Sequence, residues 1–309
     1  MKRELTSPGL SQGADSMISR CLRLLVCVAL TLNCSGCLTF DSPITSGNIP
    51  PRLGDAPDGI VFAKAIRSAD EQSREQSILR ELRRGNVPDF LREMARIRYK
   101  ARTRSGRLVT VTLWVMKDYL AVGSDHDFIR VPMNPVTAQR VADALGYMLP
   151  TARIVDEIYR AADKKLPPNP FKPSDAMVTV EEFVRHDRVI RQQLDNDIPD
   201  DLIAGHKKDV VLTNQLDDRP QKVAIYGWHQ IGGLPIQPLS TVHGNWYADY
   251  SHGIRLISGM MLVDRQTYPV TEVLQDAELS PLISYEGPLT HVRYRTEEVP
   301  LKKNWWPKS

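Results

Sequence analysis

Between Gly205 and Arg255 this chain concentrates residue types that can move protons. The stretch contains Gly-His-Lys-Lys-Asp-Val-Val at 205–211 and Tyr-Gly-Trp-His at 226–229. It ends in His-Gly-Asn-Trp-Tyr-Ala-Asp-Tyr-Ser-His-Gly-Ile-Arg-Leu at 243–256. Four of the seven histidines, His206, His229, His243 and His252, fall inside it. Imidazole serves as base, acid or metal ligand near neutral pH. His229, His243 and His252 are therefore candidates for acid–base or metal work, with Asp249 to orient a ring or join a metal shell. Ser251 is a candidate nucleophile. Its base would be His229 or His243, because Ser251 and His252 are neighbours on an extended chain and point to opposite faces. Lys207 and Arg255, with His206, are candidates for holding anionic groups of a substrate. Trp228, Trp246 and Tyr250 offer rings on which a sugar stacks, or else belong to the core. No cofactor is fixed by these residues. A divalent metal such as zinc needs three protein ligands and an open position, and His229, His243 and His252 could supply the ligands.

Three resemblances attach to these motifs. Ser251-His252-Gly253-Ile254-Arg255-Leu256 resembles the L,D-transpeptidase signature, Ser-His-Gly-Cys followed by Ile or Val, Arg and an apolar residue, with its nucleophilic cysteine absent. That absence excludes transpeptidation by the family's mechanism. His243 and Asp249 resemble the His–Asp pair of zinc peptidases that cut peptidoglycan peptides, but are six positions apart where that pattern has seven. The segments at 205–211, 226–229 and 249–256 together resemble a group of uncharacterised bacterial secreted proteins, over most of residues 85–265. That resemblance implies a shared site and no particular activity.

Strand ends would have to position such a site. Lys208–Thr213, Val223–Trp228, Pro235–Val242 and Gly253–Val263 read as successive strands with turns at Asp217–Pro220 and Gly232-Gly233. Short links favour an antiparallel sheet, which would bring His229, His243 and Ser251-His252 to one rim. Earlier in the chain, Ser68 with Glu71 reads as a capping box opening a helix that stops at Gly85. Pro88 suits a short second helix through Glu93. Period-two alternation over 96–102 and 108–116 predicts a hairpin with one cationic face, an edge strand guarded by charge. Tyr119–Val122 and Phe128–Val131 read as a further strand pair. Pro135–Leu145 and Thr151–Lys164 read as helices, Met177–Phe183 as a strand and Arg185–Leu194 as a helix. Four prolines at 166–175 mark the connection between subdomains, or equally a rigid crossover within one fold.

Composition is that of an ordinary globular protein: 42% apolar and 25% charged among 309 residues. The net charge of +3 comes largely from Lys2, Arg3, Arg20 and Arg23 against Glu4 and Asp15. Beyond residue 37, 36 basic and 35 acidic residues remain. That balance gives no support for a nucleic-acid partner. All four cysteines, Cys21, Cys27, Cys34 and Cys37, precede residue 38, so no cysteine-dependent enzyme is built from the rest. Arg20 and Arg23 precede a nine-residue apolar run, Leu24 to Leu32. It is too short to span a membrane, which takes about 20 residues, and reads as a secretory signal. Cys34-Ser35-Gly36-Cys37 resembles a bacterial lipobox, which implies a chain lipidated at Cys37. Cleavage by ordinary signal peptidase is the alternative.

The expected architecture is α+β: N-terminal helices and hairpins with a mainly antiparallel C-terminal sheet. Residues 1–37 form the signal, 38–59 a tether, 60–165 an N-terminal subdomain and 176–309 a sheet-rich subdomain carrying the site. The expected function is an exported hydrolase or lyase acting on a cell-envelope or extracellular polymer, anchored to the membrane by an N-terminal lipid or else secreted. The alternative is a non-catalytic lipoprotein that binds glycan or peptide through its Trp and Tyr rings.

Overall fold

The computed structural model describes residues 47–297. The expected signal and the expected lipidation at Cys37 fall outside the described residues. Residues 47–58 were expected to be tether, yet they are packed. Asn48 N donates to Leu145 O at 2.8 Å, Ile49 is buried, and the Arg92 guanidinium donates to the carbonyls of Ile49 and Pro50. Helix α1 (Gly59–Ile66) follows, burying Phe62, Ala63 and Ile66. Helix α2 (Glu71–Arg83) starts two residues later than the Ser68 capping box proposed. Asp70 is its cap, accepting from Ser73 N at 2.8 Å, and Ala69 is already bonded back to Ile66 O. Ile78 and Leu82 face the core, and Gly85 ends the run with φ 76°. The expected helix after Pro88 is a single 3-10 turn, Asp89–Leu91.

Strands β1 (Met94–Arg102) and β2 (Leu108–Met116) form the expected hairpin, pairing Arg102 with Leu108. β1 pairs with β2 alone, and Arg96, Arg98, Lys100 and Arg102 point to solvent. β3 (Ala121–Gly123) and β4 (Phe128–Arg130) make a second hairpin. Helix α3 (Pro135–Leu145) is capped by Asn134, which accepts from Thr137 N at 2.9 Å. β5 (Tyr147–Met148) leads to α4 (Ala152–Ala161), capped by Thr151. After β6 (Lys164–Lys165) comes the proline segment, then helix α5 (Val180–Gln193). The strand expected over 177–183 is instead a 3-10 turn and the first helical turn. Thr179 Oγ1 accepts from Glu182 N, which commits Val180 onward to a helix.

β7 (Ile203–Ala204) pairs in parallel with β6. β8 (Lys208–Val210), β9 (Ile225–His229) and β10 (Pro235–Ser240) form an antiparallel run. β11 (His252–Gly253) adds to β8 in parallel, completing a four-stranded sheet of order β10-β9-β8-β11. The single strand expected over 253–263 is divided. β12 (Ile257–Ser258) and β13 (Met260–Val263) leave that sheet and pair in succession with the edge of β2 opposite β1. β14 (Gln266–Pro269) and helix α6 (Val270–Gln275) follow. The larger sheet thus has the order β14-β13-β2-β12-β5, with β1 also on β2. Its strands come from both sides of the 166–175 segment, and the described residues form one unit. The prolines therefore mark a crossover within one unit. The molecule is α+β with mostly antiparallel sheets; its core surrounds β2, whose Val111, Leu113, Val115 and Met116 are fully buried.

Candidate active site

The site is built where β11 meets β8. Lys208 N donates to Ser251 O at 2.8 Å, and His252 lies opposite Lys208 in the ladder. The approach to β11 is fixed by an Asx turn. Asp249 Oδ1 accepts from Ser251 N at 2.8 Å and from Ser251 Oγ at 2.5 Å, and Oδ2 accepts from the Tyr247 hydroxyl at 3.1 Å. Gly253 is required by closeness. A Cβ there would stand 2.4 Å from Tyr119 Cδ1. His252 is 0% exposed, and neither of its ring nitrogens has a hydrogen-bond partner among the described residues. The Tyr247 ring stands edge-on to it, with centroids 5.7 Å apart, and stacks on His243 at 4.1 Å. Tyr247, His243 and Lys208 are half-buried, forming the outer side of a cluster whose floor is Asp249, Ser251 and His252. Lys208 Nζ stands 5.1 Å from the Trp228 ring.

The electrostatics separate the acid from the base. Burial pushes the His252 pKa down to about 4, against the opposing charge of Asp249. The ring is therefore neutral at pH 7, with one nitrogen free to accept and one to donate. Burial also pushes Asp249 upward, but His252, Lys208 and the Ser251 hydrogen bonds outweigh it and hold the carboxyl at about 2. His243 is lowered, chiefly by burial. Ser251 donates its hydroxyl hydrogen to Asp249 rather than to an imidazole, so no Ser–His dyad is formed.

His229 belongs to a different cluster. Its Nε2 meets Asp156 Oδ1 at 2.9 Å, and the same carboxylate accepts from Tyr226 and Tyr285. Tyr159 stacks on the ring at 4.5 Å. Burial raises the Asp156 pKa, and the three donors more than reverse this. The structure thus brings His243 and His252 together through Tyr247 and sets His229, at the end of β9, against Asp156 and Tyr159 of α4. Among the described residues, no three His, Cys, Asp or Glu are grouped to hold a metal ion.

The residues expected to hold anionic substrate groups lie in the interior on protein partners. Arg255 donates to Met116 O at 2.7 Å and Ile203 O at 2.8 Å, and its guanidinium covers the Tyr119 ring. It thereby ties the chain where it crosses between the two sheets. His206 Nε2 meets Asp118 at 3.0 Å, which also takes two bonds from Arg130. Arg130 bonds Asp187 in turn. Lys207 Nζ donates to Tyr250 O at 2.7 Å and lies 3.4 Å from His186 Nδ1. Burial lowers its pKa to about 7. Trp228 is 4% and Tyr250 1% exposed, packed with His186 and Phe171, whereas Trp246 is half-buried. Trp228 also has φ 56°, a strained value for a bulky side chain.

Sequence reasoning passed over Lys208, Asp118, Tyr119, Arg130, Asp156 and His186 as site members. A signal existed for two of them. Arg130 sits in an otherwise apolar strand run, and His186 lies on α5 between Phe183 and Ile190, at helical spacing on the buried side. Comparison with known proteins finds no matching family model, no matching curated protein and no matching solved structure.

Proposed function

We propose that this chain is an exported hydrolase or lyase acting on a cell-envelope or extracellular polymer, with His252 as its acid–base group. One observation carries the reading: a fully buried imidazole with both nitrogens unpartnered among the described residues. Leaving a buried polar atom unbonded costs about 1–3 kcal/mol, and such groups call for an explanation such as a catalytic role. A neutral imidazole beside an ionised carboxylate takes a proton from a substrate and returns it. In this reading Asp249 stabilises the imidazolium, Lys208 and His243 meet the substrate at the outer side, and Tyr247 moves aside to admit it. Export rests on the basic, apolar and small-residue order of residues 20–37. The reading as a glycan-binding platform has less support, because Trp228 and Tyr250 present no open ring face.

The test is to incubate the full chain, processed by its host, with peptidoglycan and, separately, with extracellular polysaccharide, and to follow release of soluble fragments. The proposal requires release from at least one polymer. Retention on a polymer with no release would favour the binding protein instead.

A further inference from the structure

Helices α1 and α5 enclose a surface groove of ≈ 470 Å³. Its apolar lining includes Ile60, Ala63, Val180 and Val184. Ile60 is 46% and its neighbour Val61 58% exposed, adjacent large apolar residues on one short helix. The charged lining is basic: Lys64, Arg67, Arg185 and Arg188 share it with one carboxylate, Glu181, which pairs with Arg67, and Arg185 also pairs with Glu182 just outside the lining at 3.1 Å, which leaves Lys64 and Arg188 as the excess cations. All four cations are exposed. An apolar strip edged by long cationic side chains is the pattern of a surface that rests in a lipid interface. The stems lie along the apolar boundary while the charged ends reach phosphates.

We propose that the α1–α5 face docks on a membrane surface containing anionic phospholipid. Lys64, Arg67, Arg185 and Arg188 bind headgroup phosphates, and Ile60 and Val61 enter the acyl boundary. Charge complementarity selects this occupant, since each Lys or Arg near an anionic leaflet adds to the attraction. Helix α1 is also the first helix of the described residues, beginning 22 positions after Cys37 in the sequence (59 − 37). The inference needs no acyl chain and is independent of the role given to His252.

The test uses the full chain carrying Cys37→Ser, so that no lipid anchor contributes. Co-sedimentation is measured with vesicles of phosphatidylcholine alone and with added phosphatidylglycerol. Binding to the anionic vesicles, weakened by salt, is expected to fall about tenfold or more in Lys64→Glu/Arg188→Glu. Val61→Ser should weaken it as well. Both variants change exposed side chains and should melt like the parent. Equal binding of parent and charge variant, or equal binding to neutral vesicles, overturns the proposal. So does self-association of the parent, lost in Val61→Ser, without vesicle binding; the groove would then receive a second copy.

Discussion

The Tyr247 hydroxyl donates to Asp249 Oδ2 at 3.1 Å, while the same ring stacks on His243 and turns its edge to His252. One side chain thus holds the carboxylate and covers the imidazole. Tyr247→Ala should therefore uncover His252. Its neutral ring should react with diethyl pyrocarbonate faster than in the parent, read by peptide mass spectrometry. An unchanged rate would mean that Tyr247 does not control access.

Lys207 carries a pH signature. Burial lowers its pKa to about 7, below the ordinary 10.5. Between those values the unfolded chain binds a proton that the native chain does not, so this residue's contribution to stability rises with pH across the window. The slope approaches about 1.4 kcal/mol per pH unit at most. Denaturant melts from pH 7 to 10 should show Lys207→Met lacking that rise. Parallel pH dependence in both proteins would place the Lys207 titration at its ordinary value.

Asp118 and Arg130 form a buried ion pair at 2.6 Å, with His206 on the other carboxylate oxygen. Removing the charge by Asp118→Asn leaves the guanidinium with Asp187 alone and should cost about 3–5 kcal/mol. The exposed pair Arg293–Asp143, also at 2.6 Å, should cost under about 1 kcal/mol when broken by Arg293→Ala. Chemical denaturation of both variants gives the comparison, and equal losses would contradict the weight assigned to burial.

The hairpin of β1 and β2 and helix α3 were legible because their signals are local: alternation in the first, Asn134-Pro135 and Gly146 around the second. Helix α5 was misread at its start, where Val178 and Val180 mimic a strand and the Thr179 cap decides the outcome. The split of 253–263 was hidden because it depends on Arg255 reaching carbonyls of β2 and β7, distant in sequence. The site divides in the same way. Asp249, Ser251 and His252 are joined by a turn that sequence proximity reveals. The pairing of His229 with Asp156 spans 73 residues and has no local trace.

His252 tests the account most directly. The variant His252→Gln removes the imidazole and keeps a polar side chain in a position with no hydrogen-bond partner among the described residues to lose. Polymer turnover and thermal unfolding of the full chain are measured together. The account predicts that turnover falls about 100-fold or more while the melting temperature moves little. A clear drop in melting temperature with turnover intact would make His252 a packing residue and contradict the assignment.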